Sequence, residues 1–187
     1  MLQFDNDLAP IVGQQITLDA TNAAVAGPRI DLLIARASAA FTSLLLDGVT
    51  TECEVIVKGT VGGVPHGWLR LAGGLFQRDD DPAQAALVDD ATLRGLAATE
   101  GPLTYTCVAP GSGVRVGVDR DLDTVLDAID NCPGRDNVGQ SDGDFDGIGD
   151  VCDSAPMTVP EPGVALGLWV GVAVVTMRAS SRRLRTR

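Results

Sequence analysis

The sequence predicts an α+β chain in three parts, and three observations carry that prediction. Residues 1–114 mix helical apolar spacing with short alternating runs, residues 115–156 repeat one acidic pattern twice, and residues 157–187 end in an apolar run followed by arginines. In the first part, Pro28-Arg29 opens a stretch where Ile30, Leu33, Ile34, Ala37, Phe41, Leu44 and Leu45 recur at helical spacing, with Gly48 as its stop. Asp31 and Arg36 lie inside it, so the expectation is a helix packed on a core rather than a membrane span. Glu52 to Lys58 and Gly67 to Leu71 then predict two strands of a hairpin across Gly62-Gly63. A short helix is expected from about Asp90 to Ala98, and LTYTCV (103–108) with VRVGV (114–118) predicts a second hairpin around Pro110-Gly-Ser-Gly.

This first part carries little chemistry. His66 is the only histidine and sits in a turn-like VPHGW setting, which favours a structural or solvent-facing role over a Ser-His-Asp site. Asp79-Asp80-Asp81 before Pro82 is most simply a solvated loop. The spacing is neither that of a CxxC redox or zinc site nor that of a CxxCH haem site, and the only basic cluster is the C-terminal tail, so nucleic acid is a poor partner.

The acidic part is the most informative. Read as twelve-residue loops from Asp119 and from Asp142, it places Asp at positions one, three, five, nine and twelve twice: Asp119, Asp121, Asp123, Asp127, Asp130, then Asp142, Asp144, Asp146, Asp150, Asp153. Alternate carboxylates converging from a tight turn, with a backbone carbonyl from Val125 or Ile148 at position seven, suit the oxygen shell of Ca2+. From 119 to 153 there are 11 Asp against Arg120 and Arg135, a net of −9 within a chain total of −11. A solvated linker would have no reason to keep its acids in the same register twice. Too few apolar residues share the segment to hold a core against this repulsion, so bound metal and a cross-link would supply the order. Position six, where the turn favours positive φ, is Gly147 in the second loop but Thr124 in the first, so the second site is expected to bind more tightly.

With Asn131-Cys132-Pro133, Asn137, Gln140 and Cys152 between and within the loops, the run DxDxDxxxDxxDNCPxxxNxxQxDxDxDGxGDxCD resembles a thrombospondin type 3 repeat. The resemblance covers about 35 residues. It implies calcium on the aspartates from Asp119 to Asp153 and a disulfide between Cys132 and Cys152. Four cysteines allow three pairings; the simplest keeps that one and joins Cys53 to Cys107.

The third part runs through Pro160, Glu161 and Pro162 into an apolar stretch from Val164 to Met177, then Arg178, Arg182, Arg183, Arg185 and Arg187. Fourteen helical residues span only about 21 Å against about 30 Å of hydrocarbon, but a snorkelling Arg178 extends the reach from Gly163 to Ser181. Its place at the chain end, Trp169 and the arginines predict a membrane segment, with the arginines cytoplasmic and the acidic repeat outside. This tail resembles the PEP-CTERM sorting signal of Gram-negative bacteria, whose Pro-Glu-Pro motif is recognised by an exosortase. The resemblance implies sorting to the envelope or exopolysaccharide matrix.

The full expectation is therefore α+β: a small mixed N-terminal unit, an irregular calcium-stabilised repeat, and one C-terminal transmembrane helix. MLQFDNDLAP has neither a basic start nor an apolar signal core, which suggests the C-terminal part of a longer bacterial exported protein. The expected function is a non-enzymatic calcium-stiffened stalk or adhesion module of the cell envelope, anchored in the inner membrane before sorting. Its expected partners are calcium, the membrane, the sorting enzyme and extracellular polysaccharide or matrix. The alternative is the remnant of a larger exported enzyme or propeller protein.

Overall fold

The computed structural model describes residues 11–43 and 47–156. Its elements run β1 (Gln15–Leu18), α1 (Ala23–Ser38), β2 (Ala40–Ser43), β3 (Gly48–Thr51), β4 (Glu54–Val61), β5 (Val64–Arg70), β6 (Phe76–Arg78), α2 (Asp90–Thr99), β7 (Leu103–Val108) and α3 (Gly113–Gly117). Five strands form one antiparallel sheet in the order β1-β7-β4-β5-β6, and β2 pairs with β3 in a separate ribbon.

Strand alternation gives this sheet two working faces. On one, Val55 and Val57 of β4, Trp68 of β5, Phe76 of β6, and Leu103, Tyr105 and Cys107 of β7 join Ile30 and Leu33 of α1 and Leu93 of α2 in the main core. Ala26, Ile30 and Leu33 form the buried stripe of α1, spaced four and three residues apart. The carboxylate of Asp89 caps α2 by accepting the Thr92 N–H at 2.7 Å. Arg94 links the helices, reaching Asp31 at 2.7 Å and Asp90 at 2.8 Å. On the other face, Ile56 and Leu69 meet Val118 and Leu126, the first residues of the acidic part to enter the fold. β4 is thus buried on both sides, which explains the unbroken apolar run Val55-Ile56-Val57.

The hairpin across Gly62-Gly63 forms as expected, with both glycines at positive φ. Several other expectations are corrected. The helix begins at Ala23, holds Pro28 inside, and stops at Ser38. Phe41 belongs to β2, whose ladder with β3 overrides the helical spacing, and Gly48 opens β3 at φ 148° rather than ending a helix. Leu44 and Leu45 lie outside the described residues. VRVGV is no strand either: residues 113–117 form α3. Both edges of β7 are already taken, one by β1 and the other by β4, so VRVGV has no ladder to join. His66 lies on β5 rather than in a turn. The acidic run before Pro82 is not a solvated loop, since Asp79 and Asp81 are buried. Asp79 accepts the Gly67 N–H at 2.6 Å and holds His66 Nδ1 at 2.7 Å, and Asp81 takes the amides of Ala85 and Ala86.

The expected C-terminal transmembrane helix is corrected as well. Among the described residues no helix is long and apolar enough to cross a membrane. The 16 residues of α1 reach only about 24 Å and carry Arg29, Asp31 and Arg36. The segment to which a span was assigned, Val164 to Met177, lies outside the described residues, as do Pro160, Glu161 and Pro162.

Close backbone approach seats α3. Its Gly113 N–H donates to the Glu54 carboxylate at 2.5 Å, and the Gly117 carbonyl oxygen accepts from Lys58 Nζ at 2.7 Å. A Cβ on Gly67 would overlap that same carbonyl, and one on Gly117 would press on Ile56 at 2.9 Å. Gly67→Ala should therefore push α3 off the sheet and cost about 2 to 3 kcal/mol in a denaturant titration, within the range of overpacking. A wild-type midpoint in that variant would show that α3 yields freely.

Candidate metal centre

The two acidic loops fold alike, hydrogen bond by hydrogen bond. The carboxylate at position one accepts the N–H groups of positions four and six: Asp119 from Leu122 (2.7 Å) and Thr124 (3.1 Å), Asp142 from Phe145 (2.7 Å) and Gly147 (2.9 Å). Position five accepts from position seven, Asp123 from Val125 at 2.7 Å and Asp146 from Ile148 at 2.8 Å. Position nine reaches back to the N–H of position two, Asp127 to Arg120 and Asp150 to Gly143, both at 2.8 Å. Its own N–H donates to the carbonyl just before the loop, of Val118 or Ser141, again at 2.8 Å. Each carboxylate that orders its loop in this way keeps further lone pairs for a ligand.

The consequence is two triads, Asp119-Asp121-Asp123 and Asp142-Asp144-Asp146, in each of which one oxygen per residue lies within 4.8 Å of the others. These are the clusters among the described residues that could hold a metal ion. Position nine is not in them; Asp127 and Asp150 act as clasps. Position twelve contributes differently. Asp130 and Asp153 each turn one oxygen to local N–H groups, of Cys132 and Ala155, while the other, Oδ2, is sealed from solvent with no hydrogen-bond partner. Oδ2 of Asp121 is in the same condition. A buried carboxylate oxygen without a donor is costly, and a hard cation is the partner that chemistry supplies. The carboxyls at position three, Asp121 and Asp144, are both held above the ordinary carboxylate range, first by desolvation and then by neighbouring aspartates, only partly offset by a backbone hydrogen bond. An all-oxygen, carboxylate-rich set of this kind suits a hard cation rather than the softer, nitrogen- and sulfur-preferring metals.

Both loops set positions four and six at positive φ: Leu122 at 69° and Thr124 at 82°, Phe145 at 61° and Gly147 at 90°. Thr124 is β-branched, so the first loop bears a strain that Gly147 avoids. Thr124→Gly should then raise the first loop's metal affinity roughly fivefold, about 1 kcal/mol, in a calorimetric titration. An unaltered isotherm would mean that strain at this position does not limit binding.

The loops differ in what they lean on. Position eight is Leu126 in the first and faces the sheet; it is Gly149 in the second and faces the connecting segment. A Cβ at Gly149 would overlap the side chain of Asn131 and stand 2.7 Å from that of Asn137. The Asn137 N–H donates to Asp123 Oδ2 at 2.9 Å, the Gly149 N–H to the Asn131 carbonyl at 2.9 Å, and Gln140 Nε2 to Asp130 Oδ1 at 2.8 Å, so the connector binds ligands of the first loop to the backbone of the second. Sequence reasoning quoted Asn131, Asn137 and Gln140 without a role. Their signal was the amide-rich stretch between two acid runs, where side chains must satisfy a backbone that has no ladder. Lys58, the chain's only lysine, was also missed, because nothing local joins it to Gly117.

Disulfides join Cys53 to Cys107, with Cα atoms 5.5 Å apart, and Cys132 to Cys152, at 5.9 Å. The first joins Cys53, the residue just before β4, to Cys107 of β7 within the main core; the second closes the connector onto the second loop. Comparison with family models, with curated proteins and with solved structures finds no match to this chain. Fold and site together define a small disulfide-bridged α+β protein that bears a duplicated acidic loop able to hold metal ions.

Proposed function

We propose that the chain is a non-enzymatic calcium-binding module of an exported cell-envelope or surface protein, in which calcium turns an acidic segment into a rigid extension of a small α+β unit. The observation that carries this reading is the duplication itself: two loops with the same hydrogen bonds, the same positive-φ positions and the same carboxylate triads. The oxygens of Asp121, Asp130 and Asp153 that lack a donor support it. Two disulfides suit an oxidising extracellular or periplasmic setting. Presentation to a matrix and recognition of Pro160, Glu161 and Pro162 by an exosortase-type enzyme belong to the same proposal, on the strength of the sequence resemblance alone.

The test is isothermal titration of the chelator-stripped chain with calcium, and with magnesium as the competitor. Two uptake steps with calcium, persisting against excess magnesium, are expected from flexible all-oxygen sites. No uptake of calcium would end the proposal.

A further inference from the structure

The first acidic loop and the sheet share one apolar core, and this ties metal binding to the closure of a sheet face. Val118 immediately precedes Asp119, and Leu126 immediately precedes Asp127; both are buried against Ile56 and Leu69, with Leu71 and Val108 at the margin. Core residues therefore bracket the carboxylates within ten positions of chain, from Val118 to Asp127. Two polar links fasten the same seam: Lys58 Nζ to the Gly117 carbonyl at 2.7 Å, and the Ala128 N–H to the Asp79 carbonyl at 3.2 Å. The loop can hold this shape only by gathering Asp119, Asp121, Asp123, Asp127 and Asp130, and the one cation paired within it is Arg120, at 3.8 Å from Asp127. Like charges so placed oppose the closed form, and a divalent ion would remove the opposition.

We propose that calcium in the first loop latches that loop onto the sheet, so that ion uptake and burial of Ile56 and Leu69 are one coupled event. The inference rests on the calcium reading given above. It is confined to the first loop, because the second presents Gly149 and Ser141 where the first presents Leu126 and Val118, and leans on the connector instead. The main core lies on the opposite face, has its own disulfide, and does not take part. Calcium withdrawal therefore uncovers an apolar strip of the sheet without unfolding the sheet.

By reciprocity, whatever weakens the seam weakens calcium binding by the same factor, and couplings of this kind fall between about fivefold and 150-fold. Leu126→Ala and Ile56→Ala each remove core contact across the seam without touching a carboxylate or a neighbouring charge. Each should lower the first loop's calcium affinity about tenfold and leave the second loop's unchanged. In the full chain, methyl contacts between Ile56 or Leu69 and Val118 or Leu126, followed by nuclear Overhauser spectroscopy, should be present with excess calcium and vanish with excess chelator. Contacts of Val55 and Val57 with Tyr105 should survive both conditions. Calcium uptake with wild-type affinity in both variants, or seam contacts that persist in chelator, would overturn the latch and leave the calcium reading standing. Failure of the wild-type chain to take up calcium would instead strike the calcium reading, and the latch with it.

Discussion

Replacing Asp123 by alanine should cut metal affinity at the first loop at least a hundredfold and loosen the second, whereas replacing Asp146 should affect the second loop alone. The two residues hold the same loop position, yet Asp123 is 2 % exposed and Asp146 is exposed. Asp123 accepts the Val125 N–H within its own loop and the Asn137 N–H of the connector at 2.9 Å, while Asp146 accepts the Ile148 N–H within its own loop. Asp123→Ala therefore removes one member of the triad and leaves two N–H groups without an acceptor, at about 1 to 3 kcal/mol each. The expected loss is about 3 kcal/mol or more, a hundredfold or greater fall in first-site affinity, with a weaker second step. Calorimetry on both variants reads this directly. A normal second step in Asp123→Ala would show that the connector does not couple the loops, and a larger loss from Asp146→Ala would show that the burial and connector bond of Asp123 do not decide the effect.

The second large effect concerns Cys53 and Cys107. Their bridge closes a loop with a sequence separation of 54 and lies wholly inside the main core. In the chain-entropy model that closure contributes about 4 kcal/mol, against about 3 kcal/mol for the shorter loop of Cys132 and Cys152. The double variant Cys53→Ala with Cys107→Ala should lower the melting temperature of the calcium-loaded chain by about 8 to 16 °C at about 2 to 4 °C per kcal/mol. Replacing Cys132 and Cys152 in the same way should act mainly on the second loop, because that bridge sits outside the main core. Scanning calorimetry decides between the two patterns; equal and small shifts for both pairs would mean that sheet packing alone sets the stability.

The hairpin at Gly62-Gly63, the helix from Asp90, the strand LTYTCV and the register of both acidic loops were legible in the residues. Each depends on a local rule: two glycines able to take positive φ, an Asp cap, period-two alternation, and side-chain oxygens bonding amides two to five positions onward. The failures share a cause too. Phe41 continued a helical spacing but was claimed by the β2–β3 ladder, and the alternating VRVGV became α3 because its natural partner had no free edge. His66 and Asp79 looked like a turn residue and a solvated acid until strand pairing placed them together, with Asp79 buried and His66 half-buried.

Sequence alone determined where the carboxylates fall, which loop has its turn glycine, and which local elements surround them, because those properties depend on neighbours a few residues apart. Tertiary structure decided that Asp119 and Asp123 are buried and Asp146 is not, that position eight faces a sheet in one loop and a connector in the other, and that Ile56 and Leu69 pack against Val118 and Leu126. Those outcomes depend on contacts between residues some sixty positions apart, such as Lys58 with Gly117, and only the packing of the second face of the sheet brings such residues together.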